Sequence, residues 1–260
     1  MIYFMAPRIP FLRLSLLGAA LLSALSLFSQ HFYYAPNAIH IPVLNESHDA
    51  SVTVGIGRGR GYRALEVQTC YSPMRHIAVM ANYFNGGSKD VEKQLVQGGR
   101  GQFLEGGAGI YQSMSKSCAS LFAGYGRGYF YNYYNQERFS RLVIQRWFVQ
   151  PGLMYQDQFF RGGVAIRFNY LSYAEGETSF NIEDYELNAI RTIEQRAPLF
   201  LPELGIYAGM NFAPFSLSLS LTNIFPKTYN LNFARFNTNL SLTLDIGKVM
   251  KKSREKKKKT

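Results

Sequence analysis

The chain is short of the residues on which soluble enzymes and nucleic-acid binders depend. Only 17% of its 260 residues are charged, against about 25% in soluble proteins. It has four His, and three of them (His31, His40, His48) precede the first expected strand, while His76 opens a later one. No Ser or Asp stands out near His76 as part of a nucleophile, base and orienting acid grouped in one cleft, and neither a catalytic role nor a cofactor is expected. The two cysteines, Cys70 and Cys118, fall on different expected strands and match no metal-ligand spacing. A disulfide is left open, and two separate strand thiols are the simpler expectation. No apolar run reaches the ~20 residues of a spanning helix, and the mean hydropathy of -0.11 argues against a helical membrane protein. It does not argue against a membrane barrel, whose inward polar positions dilute its hydropathy.

What the chain does contain is aromatic and glycine-rich, with 18 Tyr, 20 Phe and 23 Gly. The stretch FSLSLSLT, residues 215–222, alternates apolar and small polar residues without a break. Successive side chains of a strand point to opposite faces, so Phe215, Leu217, Leu219 and Leu221 share one face and Ser216, Ser218, Ser220 and Thr222 the other. FNTNLSLTLDI, residues 236–246, repeats the pattern. Strands of this kind fit a half-solvated antiparallel sheet or a barrel wall between lipid and water.

The net charge of +11 is concentrated at the ends. Eight basic residues against Glu255 give the stretch from Lys248 onward +7, and Arg8 and Arg13 add +2, which leaves +2 for everything between. The middle therefore has no basic surface suited to nucleic acid. Residues 248–260 are too charged to fold and are expected to form a disordered lysine-rich tail that touches anionic lipid headgroups or envelope polymers by non-specific attraction.

Residues 1–29 have the order of a secretory signal peptide. Arg8 and Arg13 precede the apolar run Leu14–Phe28, and cleavage after Ser29, or after Ser26 with Ala24 at the third position back, fits. An uncleaved anchor is the alternative. Residues 30–49, with two prolines and little periodicity, are expected to form an extended segment leading into the barrel on the periplasmic side.

Residues 50–247 divide into about ten candidate strands, with eight to twelve compatible. SPMR, QDQ and NFAP are tight turns after even strands, whereas the connections 85–100, 131–140, 174–197 and 226–232 after odd strands are longer. Outer-membrane barrels alternate in this way, with short periplasmic turns and longer external loops, and GRGRG at 57–61 departs from the rule. The expected fold is all-β: a single antiparallel transmembrane β-barrel, with the acidic loop 174–197 as the external contact.

The segments YYAPNAIHIPVL (33–44), Tyr71-Ser72-Pro73 running into HIAVMANY, AGYGRG, WFVQPGLMY and LSLTLDIGK resemble an uncharacterised family of outer-membrane β-barrel proteins of Bacteroidota. The resemblance spans about Tyr34 to Lys248 and implies an outer-membrane barrel reached through a signal peptide, with no established activity or ligand. Some relatives begin with a lipobox cysteine, which this chain lacks, and its lysine tail departs from the family.

Six charged residues fall at positions expected to face inward: Glu66, Glu105, Arg146, Arg167, Glu203 and Asp245. They could form a gate, a polar lining or a charge-compensated core, and a narrow barrel favours the last because buried charges persist there when paired. GIGRGRG and GYGRG lack the Lys-Ser/Thr of a phosphate loop, and small residues in strands explain them. Tyr71, Tyr83, Phe84, Tyr129, Phe130, Tyr170 and Tyr173 are expected in interfacial girdles. The functional expectation is an outer-membrane barrel with a structural or binding role and a mostly filled lumen, in contact with outer-membrane lipid. A narrow pore or small-solute transporter, and a soluble periplasmic barrel that binds an apolar ligand, are the alternatives.

Overall fold

The computed structural model describes residues 31–59, 61–92, 95–134, 137–179, 184–225, 233–247 and 249. The expected signal peptide and nearly all of the lysine tail lie outside the described residues. The strands are β1 (Ala50–Gly59), β2 (Tyr62–Met74), β3 (Ile77–Glu92), β4 (Leu95–Met114), β5 (Ser117–Tyr133), β6 (Phe139–Gln156), β7 (Phe160–Thr178), β8 (Leu199–Phe212), β9 (Phe215–Ile224) and β10 (Phe236–Asp245). Each pairs antiparallel with its neighbours in sequence, and β1 also pairs with β10 from Ser51↔Asp245 to Gly59↔Asn237. The ten strands form a closed barrel. Closure leaves no edge strand with unpaired backbone groups.

The period-two alternation is realised along the wall. Leu217, Leu219 and Leu221 are 42–54% exposed on the outer face, while Ser216, Ser218, Ser220 and Thr222 are buried inside. The other strands extend this outer apolar belt with Ile56, Leu104, Ile110, Trp147, Ile206 and Leu240. The expected girdle divides. Tyr71 and Tyr170 face out, but Phe84 and Phe130 are each 1% exposed and face inward, and Tyr173 packs against the same inner cluster. The period-two face of each strand, rather than its aromatic character, decides the side.

The connection expected at 85–100 is mostly strand. β3 and β4 stay paired up to Glu92↔Leu95, through Gly86, Gly87, Gly98 and Gly99. Glycine weakens strand propensity, but the ladder is made by the backbone and needs no side chain. The central strands therefore run longer than expected, 20 residues in β4 and 19 in β7, against 10 in β1, β9 and β10. The acidic loop expected at 174–197 contains the end of β7 and a helix, α1 (Asp184–Arg196). Ile190 and Ile193, one turn apart, pack into the aromatic cluster at this end of the lumen.

Residues 31–45, expected as an extended segment leading into the barrel, run inside its lumen. Phe32, Tyr33, Tyr34, Ala38, Ile39, His40, Ile41 and Leu44 are each no more than 6% exposed. The segment starts beside Asn132 and Tyr133 near the β5–β6 connection. It ends with Leu44 among Cys70, Ala78, Tyr111 and Phe122 towards the short turns. This stretch contains no charged residue before Glu46 and is rich in apolar side chains, so the lumen gives it the burial that a strand pairing gives elsewhere. Cys70 and Cys118 are both free and buried in this last cluster.

Candidate functional site

The strap 31–45 forms one isolated backbone bridge, Tyr34↔Phe233, and otherwise has no regular structure. A buried strap of this kind must find partners for its peptide groups one by one. Inward side chains of the wall supply them. Asn132 accepts from Phe32 N at 3.1 Å and donates to Phe32 O at 3.2 Å. Glu66 Oε2 accepts from Ala38 N at 2.7 Å, and Gln68 Nε2 donates to Ala38 O at 2.7 Å. Thr222 Oγ1 accepts from Ile39 N at 3.3 Å, and Gln150 Nε2 donates to His40 O at 2.7 Å. Pro36 and Pro42 have no N–H to satisfy. Five side chains from four strands, β2, β5, β6 and β9, thus hold the strap, and their polarity would be costly to bury otherwise.

Four of the six charged residues meet in one ring at the middle of the strap. Arg167 and Glu203 are register partners on β7 and β8, and Arg167 Nε donates to Glu203 Oε2 at 2.6 Å. Arg167 Nη1 lies 3.3 Å from Glu105 Oε1, and Arg146 Nη2 pairs with Glu105 Oε2. Two strap side chains complete the ring. The Tyr34 hydroxyl donates to Glu203 Oε1 and accepts from Arg146 Nη1 at 2.7 Å. Asn37 Oδ1 accepts from Arg146 Nη2 and Arg167 Nη2, both at 2.9 Å, while its Nδ2 donates to Glu105 Oε1 at 3.2 Å. Asn82 Nδ2 adds a third donor to that oxygen at 2.8 Å. All four charged side chains are at most 1% exposed. Two guanidiniums against two carboxylates leave no net charge, and the added hydrogen bonds satisfy the lone pairs that pairing alone would leave open.

The other two charged residues stand apart from the ring. Glu66 accepts from Ala38 N and from Asn237 Nδ2, the latter at 2.5 Å. Asp245 is buried at the end of β10, where its N–H donates to Pro214 O at 2.9 Å. The four histidines are also dispersed. His31 Nε2 lies 3.2 Å from Tyr133 O, His40 Nδ1 3.1 Å from Asn82 Oδ1, His48 Nδ1 2.9 Å from the Tyr71 hydroxyl and His76 Nδ1 3.1 Å from Tyr111 O. Among the described residues no group of three or more His, Cys, Asp or Glu gathers as a metal-ligand set. The arrangement binds and orients the strap.

The glycine runs have a spatial role. Gly55, Gly57 and Gly59 fall on the inward face of β1, and Gly126 on that of β5. A Cβ at Gly57 would stand 2.8 Å from Glu66 Oε1, so glycine there leaves room for that carboxylate. Sequence patterning missed Tyr34, Asn37, Asn82 and Arg161 as lumen residues. Arg161 carried a signal, since it lies six positions before Arg167 on one strand and therefore on the same face. The strap residues carried only the uncharged run from His31 to Asn45.

No protein-family model matches this chain, and no curated protein matches its sequence. Among solved structures it is similar to the outer membrane protease OmpT from Escherichia coli at 9% identity and a TM-score of 0.43, over 77% of this chain and 94% of that one. It is also similar to the KdgM porin at 6% identity and a TM-score of 0.34, over 75% and 98% of the two chains. The chain is a closed, ten-stranded antiparallel barrel.

Proposed function

We propose that this protein is a sealed barrel of the bacterial outer membrane with a structural or binding role. The filled lumen carries the reading: the strap 31–45 runs along it, held by wall side chains and a neutral ring of four charges. The exposed apolar belt supports lipid as the outer neighbour. A soluble barrel that binds an apolar ligand would reverse the two faces, with polar residues outside and apolar ones around a cavity. The end that bears α1 is the external one in this reading, because outer-membrane barrels carry their longer connections there. Its contact surface is the acidic stretch 174–197, made of the end of β7, α1 and the residues that join them. The stretch 248–260 contributes a non-specific attraction to anionic headgroups or envelope polymers, which its deletion weakens at low salt. Membership of the Bacteroidota barrel family that the sequence resembles belongs to the same proposal.

The test is conductance of the full chain in planar bilayers, together with membrane fractionation and heat-modifiable migration on gels. The expected result is a heat-modifiable membrane protein that gives no steady conductance. Steady single-channel steps from the full chain would overturn the sealed reading in favour of a narrow pore, and recovery in the soluble fraction would overturn the membrane reading.

A further inference from the structure

Between the charge ring and the short turns, the lumen holds a cavity of about 20 Å³ beside strap residues Ala38 to Pro42. A water needs roughly 10–15 Å³ on the same measure, so the cavity takes a single guest of about that size. The strap side of its wall is largely apolar, the barrel side carries Thr53, Gln68, Ser220, Asn239 and Thr243, and no carboxylate lines it among the described residues. Arg161 does line it. This side chain is 3% exposed, and its guanidinium lies over the Tyr207 ring at 5.5 Å. One nitrogen, Nη1, donates to Ser216 Oγ, while Nε is buried without a partner.

Arg161 differs in this respect from the other two buried arginines of the lumen. Arg146 and Arg167 each meet a carboxylate, whereas Arg161 forms no ion pair with any described residue. A guanidinium stays charged at any physiological pH. Its charge, buried without a counter-charge, is expensive. Asn239 also lines the cavity, and its Nδ2 has no well-aligned acceptor, although the side chain interacts with the Glu66 carboxylate. Arg161 and Asn239 thus bring donors without a well-formed bond to one small space. A cation is disfavoured there by Arg161, and carboxylate or phosphate ligands exceed the volume.

We propose that this cavity is a binding site for one halide ion, chloride in its natural setting. Arg161 supplies the charge and Asn239 with the hydroxyls of Ser220 and Thr243 the remaining donors. The ion supplies the counter-charge that the wall omits, and so fixes the strap to β7, β9 and β10 on the side away from the ring.

The site is tested on the full chain folded in detergent micelles. The unfolding midpoint is followed in sodium chloride and in sodium gluconate, an anion too large for the cavity, at equal ionic strength. Chloride is expected to raise the midpoint by about 2–4 °C with saturation, and Arg161→Gln to remove the difference. In bromide-soaked crystals of the unaltered chain, an anomalous peak is expected within hydrogen-bonding reach of the Arg161 guanidinium, which keeps the test independent of whether the variant folds. Equal midpoints in the two salts, a halide effect that persists in Arg161→Gln, or a wall cavity free of bromide density would each overturn the proposal. None of these outcomes depends on whether the barrel conducts ions.

Discussion

Glu105 on β4 and Arg146 on β6 form an ion pair across the whole width of β5, because the wall residue between them is Gly126. Glu105 is the register partner of Gly126, and Gly126 that of Arg146. A Cβ at Gly126 would lie 2.7 Å from Glu105 Cβ and 2.5 Å from the Phe103 ring. The Arg146 guanidinium in turn lies over that ring at 4.3 Å. Gly126→Leu is therefore expected to displace both ends of the pair. Breaking a buried pair costs about 3–5 kcal/mol, and a lowered temperature of heat modification on gels measures the loss. Glu105→Gln has the same direction, since it leaves two guanidiniums against a single carboxylate.

The double substitution Glu105→Leu with Arg146→Met removes both charges together. Replacing a buried pair by apolar side chains of similar volume is often neutral or stabilising by about 1–4 kcal/mol. Here Arg167 would keep Glu203, while Asn37 would lose one acceptor and one donor partner. The expected outcome is a variant more stable than Glu105→Gln alone, measured by the same gel assay.

Deletion of residues 32–44 empties the lumen of its filler. The wall side chains Asn132, Gln68 and Gln150 then lose their strap partners and become free to bind water. Steady conductance in planar bilayers is expected from the deleted chain and none from the full one. Its heat-modification temperature should also fall, since the deletion removes the apolar burial of Phe32, Tyr33, Ile39 and Leu44.

The strap enters the lumen at the end that carries α1. Single cysteines at His31 and Asn188 should therefore react with a membrane-impermeant maleimide added from one side, and a cysteine at the exposed turn residue Lys116 from the other. The measurement uses a background in which the buried Cys70 and Cys118 are replaced by Ala. Labelling of His31→Cys and Lys116→Cys from the same side would contradict this sidedness.

Leu219 stands in the middle of β9 on the outer face and is 54% exposed. Arg at the mid-plane of a lipid-facing strand costs about 2–4 kcal/mol. Leu219→Arg is expected to lose this much in the stability of the chain refolded into lipid vesicles, followed by chemical denaturation. The neighbouring Ser218→Ala keeps a small side chain on the inner face and should lose only the hydroxyl's bonds to Ser241, to its Oγ at 2.9 Å and its carbonyl at 3.5 Å, about 1 kcal/mol.

The wall was legible because its rule is local. Leu217, Leu219 and Leu221 against Ser216, Ser218 and Ser220 state the two faces of a strand within eight residues. The same rule put Glu105, Arg146, Arg167 and Glu203 on the inner side. It failed at 85–100, where glycines masked a ladder held by backbone bonds, and at Phe84 and Phe130, where aromatic character outweighed the alternation. The strap was not legible as a plug. Its peptide groups are paired by Glu66, Gln68, Asn132, Gln150 and Thr222, residues far from it in the chain, and no period in the strap itself encodes those partners.

The sequence by itself determined the two-faced strands, their approximate number and the inward side of Glu105, Arg146, Arg167 and Glu203, because side-chain alternation follows from the geometry of each extended segment alone. The tertiary structure decided what those inward charges do. Closure of the barrel brings β4, β6, β7 and β8 within reach of one another and of Tyr34 and Asn37. Among the described residues it brings no carboxylate into an ion pair with Arg161. Pairings across a closed wall depend on register and on what fills the centre, and both are set only once all ten strands have met.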